Sequence, residues 1–143
     1  MTSKLGRFFE KLFSLDKYKY ERIRIKKETI VDIMNFARTS YPNEFIAFLT
    51  GSVKDKVLII DGLIYQPFSA NRQSTYMRAV LPASSGAIGS VHSHPSPYSG
   101  PSSIDLQSFG KRGVIHLIIN YPYNVENIRA YDSRANVLEF EIF

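Results

Sequence analysis

Residues 89–105 constrain this chain more than any other stretch. They read Gly-Ser-Val-His-Ser-His-Pro-Ser-Pro-Tyr-Ser-Gly-Pro-Ser-Ser-Ile-Asp. His92 and His94 close an apolar run that begins at Ala87 and reads as a strand. A loop of Pro, Gly and Ser follows, and Ser102-Ser103-Ile104-Asp105 then has the composition of a helix start. In a strand, residues i and i+2 face the same side. Both imidazoles therefore project together and can reach one cation at about 2.0–2.1 Å. The loop can turn the chain back, which makes Asp105 the natural third ligand. Two histidines and a carboxylate form a catalytic zinc set with the fourth position open. Ligand chemistry alone leaves other divalent metals open. His-X-His is a weak signal by itself, and Ser102-X-X-Asp105 also reads as a capping arrangement. Capping does not exclude a ligand role, because a capped helix start is a rigid mount.

The rest of the chain limits what such a site can serve. A length of 143 residues suits one domain with a single core. There is no cysteine, which excludes disulfides, thiolate zinc sites and cysteine nucleophiles and suits an intracellular protein. No run of apolar residues is long enough to span a membrane, and the N-terminus lacks the pattern of a signal peptide. The expectation is a cytoplasmic protein. The net charge of +5 is unevenly placed: residues 1–27 hold nine Lys/Arg against three acids, and the remainder nine against ten. A basic arm thus precedes a nearly neutral body. The arm reads either as a solvated surface or as a contact for an anionic partner.

Along the chain, Leu5, Phe8, Phe9, Leu12 and Phe13 make one stripe of an amphipathic helix over residues 5–15. Packing on the domain or in a homodimer is favoured over contact with a membrane surface. Tyr18 to Ile25 is a short strand or a connector. Residues 27–40 are helical and end before Pro42. Glu44 to Gly51 reads as a buried strand. In residues 56–68, Asp61-Gly62 suggests either a hairpin or one strand with a bulge. A polar loop follows over 69–75, then a strand over 76–81 and a turn over 82–86. A helix spans 103–111, and strands span 114–120, 128–132 and 137–142. His116 lies within Val-Ile-His-Leu-Ile-Ile and reads as a satisfied core histidine, the alternative being a hydrogen bond to a metal ligand. The mixture points to an α/β (α+β) sandwich with a central mixed sheet.

The spacing His92-X-His94, seven residues, Ser102, two residues, Asp105 resembles the signature of the JAMM (MPN+) zinc metalloproteases. The segment Asn43-Glu44-Phe45-Ile46-Ala47-Phe48-Leu49-Thr50-Gly51 is similar to that family's upstream glutamate strand, with Ala47 where Gly is frequent. Tyr121-Pro122-Tyr123 resembles the compact stand-alone archaeal members. The resemblance covers residues 25–143 and leaves residues 1–24 as a basic amphipathic extension. It implies a twisted mixed sheet flanked by helices, related to cytidine deaminases, with 56–66 as one strand. It also implies one zinc held by His92, His94 and Asp105, with Glu44 as general base and Ser102 as donor to the developing oxyanion. The residues alone do not single out Glu44 among the ten acids of the body.

The activity implied is that of a zinc isopeptidase acting on conjugates of a ubiquitin-like modifier or sulfur-carrier protein. A non-catalytic MPN-type scaffold is the second reading, against which stands the complete set of motif residues. A RadC-like, nucleic-acid-linked metalloenzyme is the third. A zinc deaminase would need Pro-Cys-X-X-Cys, which a chain without cysteine lacks, and the near-neutral body gives no basis for specific nucleic-acid binding.

Overall fold

Ile30, Ile33 and Ala37 recur at helical spacing and are buried, so one stripe of the helix Lys27–Ser40 must face a sheet. A computed structural model, which describes residues 19–65, 86–97, 100–109 and 113–143, shows that sheet. The helix expected over 5–15, the strand over 76–81 and most of the loop and turn flanking it lie outside the described residues. The elements are β1 (Arg22–Ile25), α1 (Lys27–Ser40), β2 (Ile46–Lys54), β3 (Val57–Tyr65), β4 (Ala87–His94), α2 (Ser103–Phe109), β5 (Ile115–Asn120), a 3₁₀ turn (Val125–Asn127), β6 (Ile128–Tyr131), β7 (Val137–Leu138) and β8 (Glu141–Ile142). They form one mixed sheet in the order β7-β6-β5-β4-β2-β3-β1-β8. No described helix is long and apolar enough to cross a membrane.

The sheet buries both faces. Phe45, Ala47, Leu49, Val91, Leu117 and Ile119 pack with Ile30 and Ile33 of α1 in the main core. Strand alternation turns His92, His94, His116 and Ile118 to the opposite face, where Ile118 packs with Phe109 of α2 and with Tyr131. β4 and β5 run parallel and are joined through α2, a βαβ unit that lays α2 along the histidine face.

The expectation of one strand over 137–142 is corrected. β7 pairs with β6 at one edge of the sheet, and β8 pairs with β1 at the other. Three Cα steps join Leu138 to Glu141, a reach of at most about 11 Å. The sheet must therefore curl until its two edges nearly meet, and no single strand could form a ladder with both. Residues Asp61-Gly62 do not turn either. β3 runs through them, with Thr50 opposite Gly62 and Gly51 opposite Ile60, so Asp61 is the extra residue of a bulge. Thr50 donates its hydroxyl to Asp61 Oδ1 at 2.9 Å. The hairpin turn lies at Asp55-Lys56, with φ of 51° and 62°, the backbone of a two-residue primed turn. β2 accordingly continues past Gly51 to Lys54.

Gly89 is required by closeness of approach: a Cβ there would collide with the carbonyl oxygen of Ile115 on β5. Gly89→Ala is expected to lower unfolding free energy by about 1–3 kcal/mol, the usual cost of overpacking. Gly100→Ala, whose Cβ would meet nothing within 4 Å among the described residues, is expected to change it by less than about 0.5 kcal/mol. Urea unfolding of the two variants checks the pair, and equal effects would contradict the packing described.

Candidate metal centre

Period-two alternation places both histidines of β4 on the face beneath α2, and both are buried. His92 Nε2 lies 3.0 Å from His94 Nε2. Asp105, in the first turn of α2 and also buried, completes the group: Oδ1 is 3.1 Å from His92 Nε2 and Oδ2 is 3.3 Å from His94 Nε2. These three side chains form a cluster able to hold a metal ion. Tetrahedral ligands at 2.0–2.1 Å from a zinc ion stand about 3.3–3.4 Å apart, so the observed separations fit such an ion with little movement. Donor chemistry agrees, since neutral imidazole and carboxylate suit zinc and its divalent neighbours.

Both readings of Ser102-X-X-Asp105 hold at once. The Ser102 amide donates to Asp105 Oδ2 at 2.7 Å, and the Asp105 amide donates to Ser102 Oγ at 3.1 Å. This reciprocal box closes the helix start and fixes the carboxylate's rotamer. Burial alone would push the Asp105 carboxyl up. Hydrogen bonds from the two imidazoles and from the Ser102 amide instead hold it well below the usual carboxylate range. An ionised carboxylate is the form a cation needs. Ser102 Oγ accepts from the Asp105 amide, and a hydroxyl that accepts can still donate its own proton; the side chain is exposed.

Glu44 lies just before β2, whose Ile46 is paired with His92. The ladder continues beyond that pair, as the Ser93 amide donates to the Phe45 carbonyl at 2.9 Å. Glu44 is thereby carried to the end of β4 that bears His94. Its carboxyl is half-buried, and burial pushes it above the ordinary value. The charges of His92 and His94 pull it back, and Asp105 raises it further. The fold thus brings together all five residues singled out in the sequence: His92, His94, Ser102, Asp105 and Glu44.

Sequence reasoning missed the supports. Ser93, between the histidines and fully buried on the other face, accepts the Phe45 amide on its hydroxyl at 2.7 Å and straps the Glu44 segment to β4. A buried serine hydroxyl in a strand must find a partner, and that was the available signal. The Tyr121 amide donates to the His94 carbonyl at 3.0 Å. Tyr41, Tyr121 and Tyr123 pack edge to face or tilted, at 5.1–6.2 Å, on the side of Glu44.

Comparison with known proteins follows the same lines. Residues 26–134 match the profile of prokaryotic homologs of the JAB domain. The chain belongs to that family. A Haloferax volcanii relative described as a probable metalloprotease is 32% identical over 127 residues, covering 78% of this chain and 76% of its own. A solved JAB1/MPN domain protein from Archaeoglobus fulgidus is 35% identical, over 83% of this chain and 97% of its own, with a TM-score of 0.66. Another, described as JAMM, a metalloprotease-like zinc site in the proteasome and signalosome, is 32% identical over 86% of this chain and 99% of its own, also with a TM-score of 0.66. As a JAB-family chain with an intact His-His-Asp cluster, this protein is a JAMM-type metalloprotease homologue, and the curled mixed sheet and two helices of its described residues are the fold of those neighbours.

The raised Glu44 carboxyl has a consequence for stability. A folded-state value above that of the unfolded chain favours folding fully only below the unfolded value, and this advantage is lost as pH rises through the folded one. Above its raised value the half-buried Glu44 carboxylate therefore costs stability. Metal-free Glu44→Gln is expected to melt at or above the wild-type temperature at pH 7, with the difference shrinking below about pH 4. A clear loss of stability at pH 7 would show that the carboxylate is a structural anchor.

Proposed function

We propose that the protein is a zinc-dependent isopeptidase that removes ubiquitin-like modifiers or sulfur-carrier proteins from their conjugates. The observation that carries this reading is the cluster of two imidazoles and a carboxylate at 3.0–3.3 Å, with Glu44 at the end of the same strand pair. His92, His94 and Asp105 would hold the metal. A bound zinc supplies Lewis acidity, polarising a carbonyl and bringing water's pKa down toward about 7. Each remaining step falls to the chain's own groups. Glu44 takes the proton of the attacking water and returns it to the departing amine, work for which a raised carboxyl is better suited than an ordinary one. Ser102 offers its hydroxyl proton to the oxygen on which negative charge develops. One such donor contributes on the order of 2.7–4 kcal/mol to transition-state stabilisation. The modifier's extended C-terminal tail could add to a sheet edge beside the metal.

The test is a panel of ubiquitin-like isopeptide conjugates incubated with wild type and Glu44→Gln, each with and without a chelator. Wild type is expected to cleave at least one conjugate and to stop when chelated. Glu44→Gln is expected to keep its metal and lose about 10²–10⁴-fold in rate. Equal cleavage by Glu44→Gln would remove Glu44 as the base, and cleavage indifferent to chelation would remove the metal.

A further inference from the structure

His116 has no part in the chemistry above, yet it is fully buried and both its ring nitrogens are engaged. Nε2 lies 2.9 Å from the carbonyl oxygen of Phe109, the last residue of α2. A carbonyl only accepts, so Nε2 carries the hydrogen. Nδ1 lies 2.8 Å from Ser90 Oγ on β4. Burial pushes the imidazole down to about 4, so the ring is neutral at physiological pH and Nδ1 accepts the Ser90 hydroxyl proton. The Phe109 ring lies flat on the imidazole, with centroids 4.4 Å apart and planes 5° from parallel.

The elements joined are those that carry the ligand cluster. Ser90 precedes His92 by two residues on the same face of β4, and Phe109 follows Asp105 by one helical turn on the same side of α2. The bridge Ser90–His116–Phe109 is therefore a rung parallel to the one formed by His92 and Asp105, about 6–7 Å away along each element. Apart from the packing of Phe109 on Ile118 and Tyr131, the described residues give the helix few other ties. It is two turns long, Ile104 and Leu106 are 43% and 49% exposed, and its buried described side chains are Asp105 and Phe109. The Ser102–Asp105 box lies within the helix start, so it orients the carboxylate on the helix without fixing the helix to the sheet.

We propose that His116 is a positioning residue for the metal centre: it clamps the end of α2 to β4 and so holds the Asp105 carboxylate at ligand distance from His92 and His94. Phenylalanine could supply the stacked ring, but only an imidazole also donates to the helix-end carbonyl and accepts the strand hydroxyl. The inference rests on the reading of His92, His94 and Asp105 as metal ligands.

The test measures Zn²⁺ affinity of the full chain by competition with a chromophoric chelator, together with melting temperature with and without Zn²⁺. His116→Phe keeps the ring and loses both hydrogen bonds, and its Zn²⁺ Kd is expected to rise 10–100-fold, the usual effect of removing a support behind the ligands. Its Zn²⁺-induced rise in melting temperature should shrink accordingly. His116→Gln, which can both donate and accept, should recover part of the affinity. Ser90→Ala, which removes one bond and leaves the core filled, should weaken binding by a smaller factor and decides the matter if His116→Phe does not fold. A purely structural role would lower metal-free and Zn²⁺-loaded stability alike and leave Kd at the wild-type value, which would overturn the clamp alone. Failure of the wild type itself to bind Zn²⁺ would overturn both the clamp and the metal reading beneath it.

Discussion

Two imidazole nitrogens 3.0 Å apart, with carboxylate oxygens 3.1 and 3.3 Å from them, are costly groups to gather out of water. Each loses hydration on burial, and a buried carboxylate is tolerated only where donors surround it. Asp105 has such donors in both imidazoles and in the Ser102 amide, which is why it stays ionised despite burial. The convergence of these three groups on one point is what the rest of the structure must support. A divalent cation is the partner that satisfies all of them together.

The support comes from elements with different stiffness. β4 is a central strand, paired with β2 on one side and β5 on the other, and its two histidines inherit that rigidity. Gly89 lets β5 approach closely at the start of β4, and Ser93 ties the Glu44 segment to its far end. The carboxylate, in contrast, rides on a two-turn helix that is exposed along its outer side. The site therefore joins a stiff half to a half that needs holding, and the His116 bridge to Phe109 meets that need. Glu44 stands apart from both, on the residues leading into β2, where the sheet ladder delivers it to the ligand face.

Much of this was legible in the chain because it depends on local rules. Strand alternation at His92 and His94, and the capping pattern of Ser102 and Asp105, each follow from a few consecutive residues. Glu44 was not legible from local rules. Nothing about a lone glutamate ahead of an apolar run marks it among ten acids, and only family resemblance brought it to the site. Edges and turns failed for related reasons. The Asp55-Lys56 turn lacks the glycine that announces a primed hairpin, whereas Asp61-Gly62 has one and serves as a bulge. Val137 to Ile142 has the composition of one strand, but closing an eight-stranded sheet divides it between two edges. That division is a property of the whole sheet and leaves no trace in six residues. The bonds of His116 likewise join residues 7 and 26 positions away, beyond any local pattern.

Every role assigned to these residues depends on the cluster holding a metal. X-ray absorption spectroscopy on the zinc-loaded protein, with the zinc-to-chain ratio measured on the same sample, tests this most directly. The predicted result is one zinc per chain, with two imidazole nitrogens and oxygen ligands at about 2.0–2.2 Å, and loss of that shell in Asp105→Ala. Absence of stoichiometric zinc, or a shell without two imidazoles, would contradict it.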